Sequence, residues 1–332
     1  MKTKANIAIF VPHAGCSHRC SFCDQRAISG QVKTPTPQEV TQTLQRAVAG
    51  LSDEKSAEIA FFGGSFTAIP RPQMEGLLRA AFPFVDGVKI IGIRCSTRPD
   101  AVDHDVLQVL KRYGVTAVEL GAQSMDDTVL ALNGRGHTAR DVVKAAHLIR
   151  QRGLELGLQM MTGLYGATEQ SDRETACELM GLHPDTVRIY PTLTLAHTRL
   201  EELYRKGNYN PPSLDQTVTL CADLLQQFEA KGIRVIKLGL HADSLSQVVA
   251  GPAHPALREL CESRIYYRQA KQLLGSIGGQ AILRVHPTCV SKMVGQNRQN
   301  LTRFAEEGWH VTVQSDPSLA SGEIQKGEIS CS

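Results

Sequence analysis

Short apolar runs rich in β-branched residues alternate along this chain with longer stretches whose apolar positions return at helical spacing. The short runs Ile7–Val11, Glu58–Phe62, Lys89–Arg94, Ala117–Leu120, Leu156–Met160 and Thr186–Tyr190 predict strands. Between them, Pro37–Ala49, Gln73–Phe84, Asp103–Tyr113, Thr138–Arg152 and Glu169–Met180 predict helices. Two of these end in Tyr113-Gly114 and Arg152-Gly153, with glycine where a helix C-terminus favours left-handed backbone. Repeated βα units predict a parallel sheet covered by helices. Six units in about 190 residues predict a partial (β/α)6 TIM-like barrel, short of the eight that close a full one. Functional residues then belong at the C-terminal edge of the sheet, where strands end and loops begin.

After Pro191 the pattern changes. Pro211-Pro212 interrupts the chain before a long helical run, Asp215–Lys231, and a strand, Val235–Leu240. Gly251-Pro252 marks a loop, followed by a helix from Pro255 to about Leu274 and a strand near Ile282–His286. These predict a smaller α/β extension over residues 206–312, packed on a barrel of residues 1–205. From Ser315 onward large apolar side chains are scarce, so residues 313–332 are expected to form a disordered tail.

The 332 residues are 42% hydrophobic and 21% charged, a balance that suits a soluble globular protein. A net charge of +3 is too small to argue for nucleic acid by itself, because binding footprints depend on clustering. No stretch approaches the roughly 20 apolar residues that span a bilayer. The apolar run after Lys2 and Lys4 ends at Pro12 without a small-residue cleavage site, which predicts no signal peptide and a cytoplasmic protein. Of nine cysteines, Cys95, Cys177, Cys221, Cys261, Cys289 and Cys331 are scattered and read as small buried hydrophobes. No disulfide framework is expected in a cytosolic chain of this length.

The other three cysteines form the segment Gly15-Cys16-Ser17-His18-Arg19-Cys20-Ser21-Phe22-Cys23, just after the first strand. Such spacing lets one loop wrap a single face of an iron–sulfur cubane. Three cysteines on four irons leave one iron open, and an open metal position marks a catalytic site. A structural zinc ion is the alternative, with His13, His18 or Asp24 as a fourth ligand.

Cys-x3-Cys-x2-Cys with an aromatic residue before the last cysteine resembles the signature of the radical S-adenosylmethionine superfamily. Within it the chain resembles the group related to the Elongator catalytic subunit and, more distantly, the oxygen-independent coproporphyrinogen oxidases. The likeness runs in order through Val11-Pro12-His13 to Gln25, Phe61-Phe62-Gly63-Gly64-Ser65-Phe66-Thr67 and Ser96-Thr97-Arg98-Pro99-Asp100. It continues through Val118 to Asp126, Arg135-Gly136-His137-Thr138, Tyr190-Pro191-Thr192 and Gly295-Gln296-Asn297-Arg298.

The resemblance implies a 4Fe–4S cluster on Cys16, Cys20 and Cys23 and a site for S-adenosylmethionine. Gly63 and Gly64 would let the backbone approach the methionyl amino group, with the hydroxyls of Ser65 and Thr67 nearby. Phe22 would pack near the adenine, or simply in the core. Gln123 and Ser124 would contact the ribose or methionyl part, and Arg135 would hold the methionine carboxylate. Arg98, before Pro99, reads as structural, and His137 as a helix-start hydrogen bond or a catalytic group. The chain departs from the family where Gly163-Leu164-Tyr165-Gly166 replaces Gly-Leu-Pro-Gly, which places Tyr165 at the edge of the site. About 20 residues follow Trp309-His310, so the Elongator subunit's acetyltransferase domain is expected to be absent.

The activity implied is reductive cleavage of S-adenosylmethionine to a 5′-deoxyadenosyl radical that takes a hydrogen atom from a substrate, fed by a flavodoxin- or ferredoxin-type electron donor. Transfer RNA is the leading substrate, from the family and from Arg284, His286, Lys292, Arg298 and Arg303 as phosphate contacts. A small metabolite or a peptide remains an alternative substrate. The alternative function is that of a non-catalytic iron–sulfur or zinc interaction protein.

Overall fold

The computed structural model describes residues 3–12, 16, 20–24, 33–52, 54–240 and 247–327. The strands are β1 (Thr3–Val11), β2 (Lys55–Gly63), β3 (Ile90–Thr97), β4 (Val115–Gln123), β5 (Glu155–Thr162), β6 (Thr186–Pro191), β7 (Thr194–Leu195), β8 (Arg234–Leu238), β9 (Val248–Ala250), β10 (Gly279–Val285), β11 (Trp309–Ser315) and β12 (Ile324–Gly327). The helices are α1 (Pro37–Ala49), α2 (Arg71–Ala81), α3 (His104–Arg112), α4 (Asp127–Leu132), α5 (Ala139–Gln151), α6 (Glu169–Gly181), α7 (Arg199–Arg205), α8 (Leu214–Ala230), α9 (Leu257–Leu274), α10 (Val290–Val294) and α11 (Gln299–Glu306). The chain divides into two compact units, Met1–Pro212 with Phe228–Ala253, and Ser213–Gln227 with His254–Ser332.

In the first unit β1 to β6 and β8 make one parallel seven-stranded sheet in that order, curled into a half-barrel. Helix starts are encoded locally. Thr36 with Glu39, Thr138 with Asp141 and Thr168 with Ser171 each form a reciprocal capping box ahead of α1, α5 and α6. Leu77 and Leu78 of α2, Leu107 and Leu110 of α3, and Val142 and Ile149 of α5 are fully buried on the outer, helix-covered side of the sheet. Truncating one of these leucines to alanine costs roughly 2–5 kcal/mol.

Strand alternation sends the intervening residues to the inner face, and there the sequence is charged. Arg94 Nη2 meets Glu58 Oε2 at 2.9 Å and Glu155 Oε1 at 3.1 Å, while Nη1 meets Glu119 Oε1 at 2.9 Å. Glu119 also accepts from Arg188 Nη2 and Gln159 Nε2, each at 2.9 Å. Burial opposes ionisation of Glu119, but Arg188 and Arg94 hold its carboxyl below the usual range. Gly157 makes room for it, since a Cβ there would stand 2.7 Å from Glu119 Cγ. Arg188 also lies 5.0 Å over the Phe62 ring.

The second unit carries a three-stranded sheet, β11-β10-β12, with β10 parallel to β11 and antiparallel to β12. Tyr266 and Ala270 of α9, Leu283 and Val285 of β10, Met293, Phe304 and Trp309 form its core.

Three expectations change. The strand at Val235–Leu240 belongs to the main sheet, where β8 pairs in parallel with β6 and adds a seventh strand. Its apolar run did not reveal which sheet it joins. Residues 313–327 are not a structureless tail. β11 runs to Ser315, and β12 pairs with β10 from Ile282↔Gly327 to Val285↔Ile324. A sheet edge needs backbone pairing more than apolar mass, and here Val313, Leu319 and Ile324 supply what packing there is. Cys177 is exposed, unlike buried Cys95, Cys221, Cys261 and Cys289, and Cys331 lies outside the described residues.

Candidate active site

The strand register brings chain segments distant in sequence to one edge. Val11, the last residue of β1, aligns with Gly63, the last of β2, and the cysteine segment follows β1. Gly63 has φ 112°, and a Cβ would lie 3.0 Å from the Val11 carbonyl oxygen, so only glycine fits this approach. The next amide, Gly64 N, donates to that same carbonyl at 2.7 Å. Ser65 is buried at the start of a 3-10 turn, and Phe66 stacks on Phe61 at 4.4 Å.

Cys16 is exposed and Cys20 and Cys23 are half-buried. Cys23 N donates to the Cys20 carbonyl at 3.2 Å, closing a tight turn between the two thiols. Burial, then the neighbouring Cys20 and Cys16, push the Cys23 thiol up to about 12, and Arg135 pulls the other way. The polypeptide alone therefore keeps this thiol protonated, while a bound metal deprotonates a coordinating thiol outright. Among the described residues no three His, Cys, Asp or Glu side chains converge on a point for one metal ion. His13 and His18, the alternative zinc ligands, lie outside the described residues, as do Gly15, Ser17, Arg19 and Gln25.

Arg135 joins this loop to β4. Its Nη1 donates to Cys20 Sγ at 3.1 Å and its Nη2 to the Gly121 carbonyl at 2.7 Å. A Cβ on Gly121 would stand 3.1 Å from Gln123 Nε2 and 3.3 Å from Arg135 Nη2, so both side chains lie over that glycine. Gln123 ends β4 with φ 67°, a strained backbone for a residue with a side chain. Among the described residues, three buried polar atoms here have no partner: Gln123 Oε1, Arg135 Nε and His137 Nδ1. His137 Nε2 meets the Ala122 carbonyl at 3.2 Å, a bond that requires the proton on Nε2 and leaves Nδ1 as an acceptor. Burial and the charge of Arg135 push His137 down to about 4, so it is neutral at pH 7. The site thus presents two acceptors and one cationic donor, a set that suits an ammonium and a carboxylate on one ligand.

Other expected contacts are already engaged. The Thr67 hydroxyl donates to the Ala101 carbonyl and meets Thr97 Oγ1, both at 2.6 Å, so it braces the loop after β3. Ser124 Oγ lies 3.3 Å from Thr175 Oγ1 and accepts from Asp126 N at 3.1 Å, which positions the start of α4. Arg98 pairs with Asp100 at 3.0 Å. Phe22 packs against Val129, Met161 and Leu164, together with Tyr190. The Tyr165 ring meets Tyr209 edge-on at 6.3 Å, and Tyr209 donates to the Gly163 carbonyl at 2.8 Å.

Asn133 and Asp172 carry structure here that the sequence reading did not single out. Asn133, fully buried, accepts from Ser21 Oγ at 2.6 Å and donates to the Val129 and Tyr165 carbonyls, each at 2.8 Å. Its own carbonyl accepts from Ser21 N at 3.0 Å, which anchors the cysteine loop. An asparagine before glycine at a helix end, Asn133-Gly134, was the available signal. Asp172 accepts from Gly163 N at 2.8 Å within a buried setting.

A half-barrel of parallel strands with three cysteines beyond β1 and a polar cradle at the ends of β2 and β4 defines one class of protein. Residues 10–179, just over half of the chain, match the model of the Radical SAM superfamily, and the chain belongs to that superfamily. Residues 184–267 match its C-terminal domain. Within the superfamily the chain is an enzyme of the group related to the Elongator catalytic subunit. It is 26% identical to the tRNA uridine(34) acetyltransferase of Dehalococcoides mccartyi, over 66% of this chain and 55% of that protein. It is 29% identical to human Elongator complex protein 3, over 63% of this chain and 41% of that protein. The chain thus spans about half the length of these relatives. Among solved structures, the archaeal Elp3 of Methanocaldococcus infernus shares the fold at a TM-score of 0.64 and 22% identity, covering 82% of this chain and 64% of that one. Coproporphyrinogen III oxidase of Escherichia coli shares it at 0.51 and 16%, covering 70% and 53%. No helix among the described residues is long and apolar enough to cross a membrane.

Proposed function

We propose that Cys16, Cys20 and Cys23 hold a 4Fe–4S cluster at which this chain cleaves S-adenosylmethionine, and that the substrate attacked is a transfer RNA. When bound, that pair supplies one-electron cleavage of the sulfonium and a 5′-deoxyadenosyl radical that takes a hydrogen atom from the substrate. The carrying observation is the fork of Arg135 between the Cys20 sulfur and the Gly121 carbonyl, beside the unpartnered Gln123 Oε1 and His137 Nδ1.

The chain's own residues divide the work. Arg135 lends positive charge to a cysteine that must be a thiolate, and its spare Nε can bind the methionine carboxylate. Gln123 Oε1 and His137 Nδ1 can accept from the amino group, with Gly63 and Gly64 allowing the backbone close to it. Phe22, packed on Val129 and Leu164, offers an aromatic face to the adenine, while Thr67 and Ser124 hold the surrounding loops and Ser65 can offer its hydroxyl beside Gly64. A flavodoxin- or ferredoxin-type protein would deliver the electron. Transfer RNA is supported by the names of the relatives, which include tRNA uridine(34) acetyltransferases.

The test is anaerobic reconstitution with iron and sulfide, then reduction by dithionite with S-adenosylmethionine and assay for 5′-deoxyadenosine. Formation that disappears in Cys16→Ala, Cys20→Ala and Cys23→Ala is expected, and product that rises with cognate tRNA supports the substrate. Stoichiometric zinc with no nucleoside product would sink the reading.

A further inference from the structure

Residues 279–315 of the second unit fold as a β-α-α-β succession: β10, the single-turn α10, a turn at Gly295-Gln296-Asn297-Arg298, then α11 and β11. The two strands lie side by side and parallel. We propose that this turn clamps the sugar–phosphate backbone of a single-stranded nucleic acid, at a binding site of its own. The inference goes beyond the catalytic reading and does not depend on it.

The backbone carries the first part of the case. K-homology modules bind single strands through a Gly-x-x-Gly loop between two helices, which clamps about four nucleotides by their backbone. Gly295, Asn297 and Arg298 have φ of 78°, 52° and 62°, so most of this turn is left-handed. A Cβ on Gly295 would lie 3.0 Å from Ser263 Oγ and 3.1 Å from Asn300 N, so this glycine is required by space as well as by φ. Arg298 replaces the second glycine of that loop type, keeps the left-handed path, and puts a cation where a phosphate would lie.

The turn is also held rigid from behind. Asn300, 1% exposed, points its amide nitrogen at Ser263 Oγ, 2.9 Å away, and at the carbonyls of Ser263, Lys292 and Met293, at 3.0 to 3.2 Å. This one side chain ties α11 to α9 and α10. Gln296, Asn297, Arg298 and Gln299 stand exposed in front of it. No side chain among the described residues caps the start of α11, so its first N–H groups are free of that competition there.

Charge completes the case. From Ser263 to Ala305 the chain carries seven Lys or Arg and no Asp or Glu. Six of them have carboxylate partners elsewhere: Arg264 and Arg303 share Asp215, Arg268 meets Asp223, Lys271 meets Glu307, Arg284 meets Asp316 and Lys292 meets Glu262. Arg298, on the turn itself, has none among the described residues. A rigid, exposed, left-handed turn with an unpaired arginine, on a stretch with no Asp or Glu of its own, matches a phosphodiester backbone.

The experiment uses the full chain and labelled single-stranded RNA and DNA of roughly ten nucleotides, read by fluorescence anisotropy at several salt concentrations. Gln296→Asp with Asn297→Asp places two negative charges on exposed positions, and aspartate tolerates the left-handed backbone. This pair is expected to weaken binding roughly tenfold or more near 0.1 M salt, with the melting temperature unchanged. Arg298→Gly removes the cation while easing the backbone, and should flatten the salt slope by about 0.7 for one lost phosphate contact. Arg79→Glu on α2 should leave binding in place. Tighter binding of RNA than DNA would show that the 2′-hydroxyl is read; equal binding would assign the site to single strands in general. Protein with Cys16, Cys20 and Cys23 replaced by alanine should bind as well as the parent, which separates this site from the radical chemistry. Absence of saturable binding, undiminished binding by the double aspartate variant, or equal displacement by inorganic polyphosphate would overturn the proposal.

Discussion

Arg135 stands with one terminal nitrogen 3.1 Å from the Cys20 sulfur and the other 2.7 Å from the Gly121 carbonyl, so a single planar fork joins the cysteine loop to the end of β4. A lysine has the charge but not the fork. Arg135→Lys should therefore retain reconstituted iron while S-adenosylmethionine binding or turnover falls about 10–100-fold, the usual penalty for losing a group that orients metal ligands. Iron content with equilibrium binding checks this. Parent-like binding would remove Arg135 from the site.

Asn133 anchors that loop from the other side. Asn133→Ala leaves the Ser21 hydroxyl and the Tyr165 carbonyl without their side-chain partner, while the Val129 carbonyl keeps the amide of residue 133. Each buried group so abandoned costs about 1–3 kcal/mol, with incomplete additivity. Urea titration should report a loss of roughly 2–4 kcal/mol, and iron occupancy after reconstitution should fall with it. Asn133→Asp keeps an acceptor for Ser21 but turns a buried carboxylate oxygen toward the Val129 and Tyr165 carbonyls, and should cost at least as much at neutral pH.

Asp172 and Glu119 give stability opposite pH dependences. Burial, set against the Gly163 amide, raises Asp172 to about 7. The folded state then holds a proton that the unfolded chain has released, so stability is greatest below the ordinary aspartate range. It falls by about 1.4 kcal/mol per pH unit until pH passes 7, and is level beyond. For Glu119 the folded carboxyl sits below its usual range, so its contribution is present at neutral pH and lost on acidification. Asp172→Asn keeps an acceptor for Gly163 and cannot ionise. Its denaturation midpoint should overtake the parent's as pH rises from about 5 to about 8. Parallel profiles would place the titration elsewhere.

Glu119→Gln tests the lumen directly. Arg188 would lose its carboxylate while staying buried, and Arg94 would keep Glu58 and Glu155. Breaking such a pair costs about 3–5 kcal/mol. Glu119→Gln with Arg188→Met removes both charges and should recover much of the loss, measured by thermal and urea unfolding.

The sheet was legible because each of its first six strands is a short apolar run set off by a helix with its own start signal, as at Thr36, Thr138 and Thr168. Where the pattern misled, the cause was physical. Val235 and Leu238 look alike whether they pair with β6 or in a separate sheet, because pairing partners are not written in a strand's own residues. β12 is held by backbone bonds to β10 and little apolar mass, which composition does not register. The cysteines, Gly63 and Arg135 stood out by spacing and type. Thr67 and Ser124 stood out for the same reason, yet their hydroxyls brace loops, because a hydroxyl at a strand end serves either end equally well. Asn133 was silent because its role depends on the backbone of Ser21 and Tyr165, 112 and 32 residues away.

The charged lumen also bears on how this chain can change over generations. Glu58, Arg94, Glu119, Glu155 and Arg188 arise from five successive strands, and each neutralises a neighbour. An apolar core position drifts one methylene at a time, but a lone substitution here strands a charge on the next strand. Descendants should therefore either keep these five together or exchange them in pairs. Correlated replacement across adjacent strands, rather than plain invariance, is the trace the lumen should leave in related sequences.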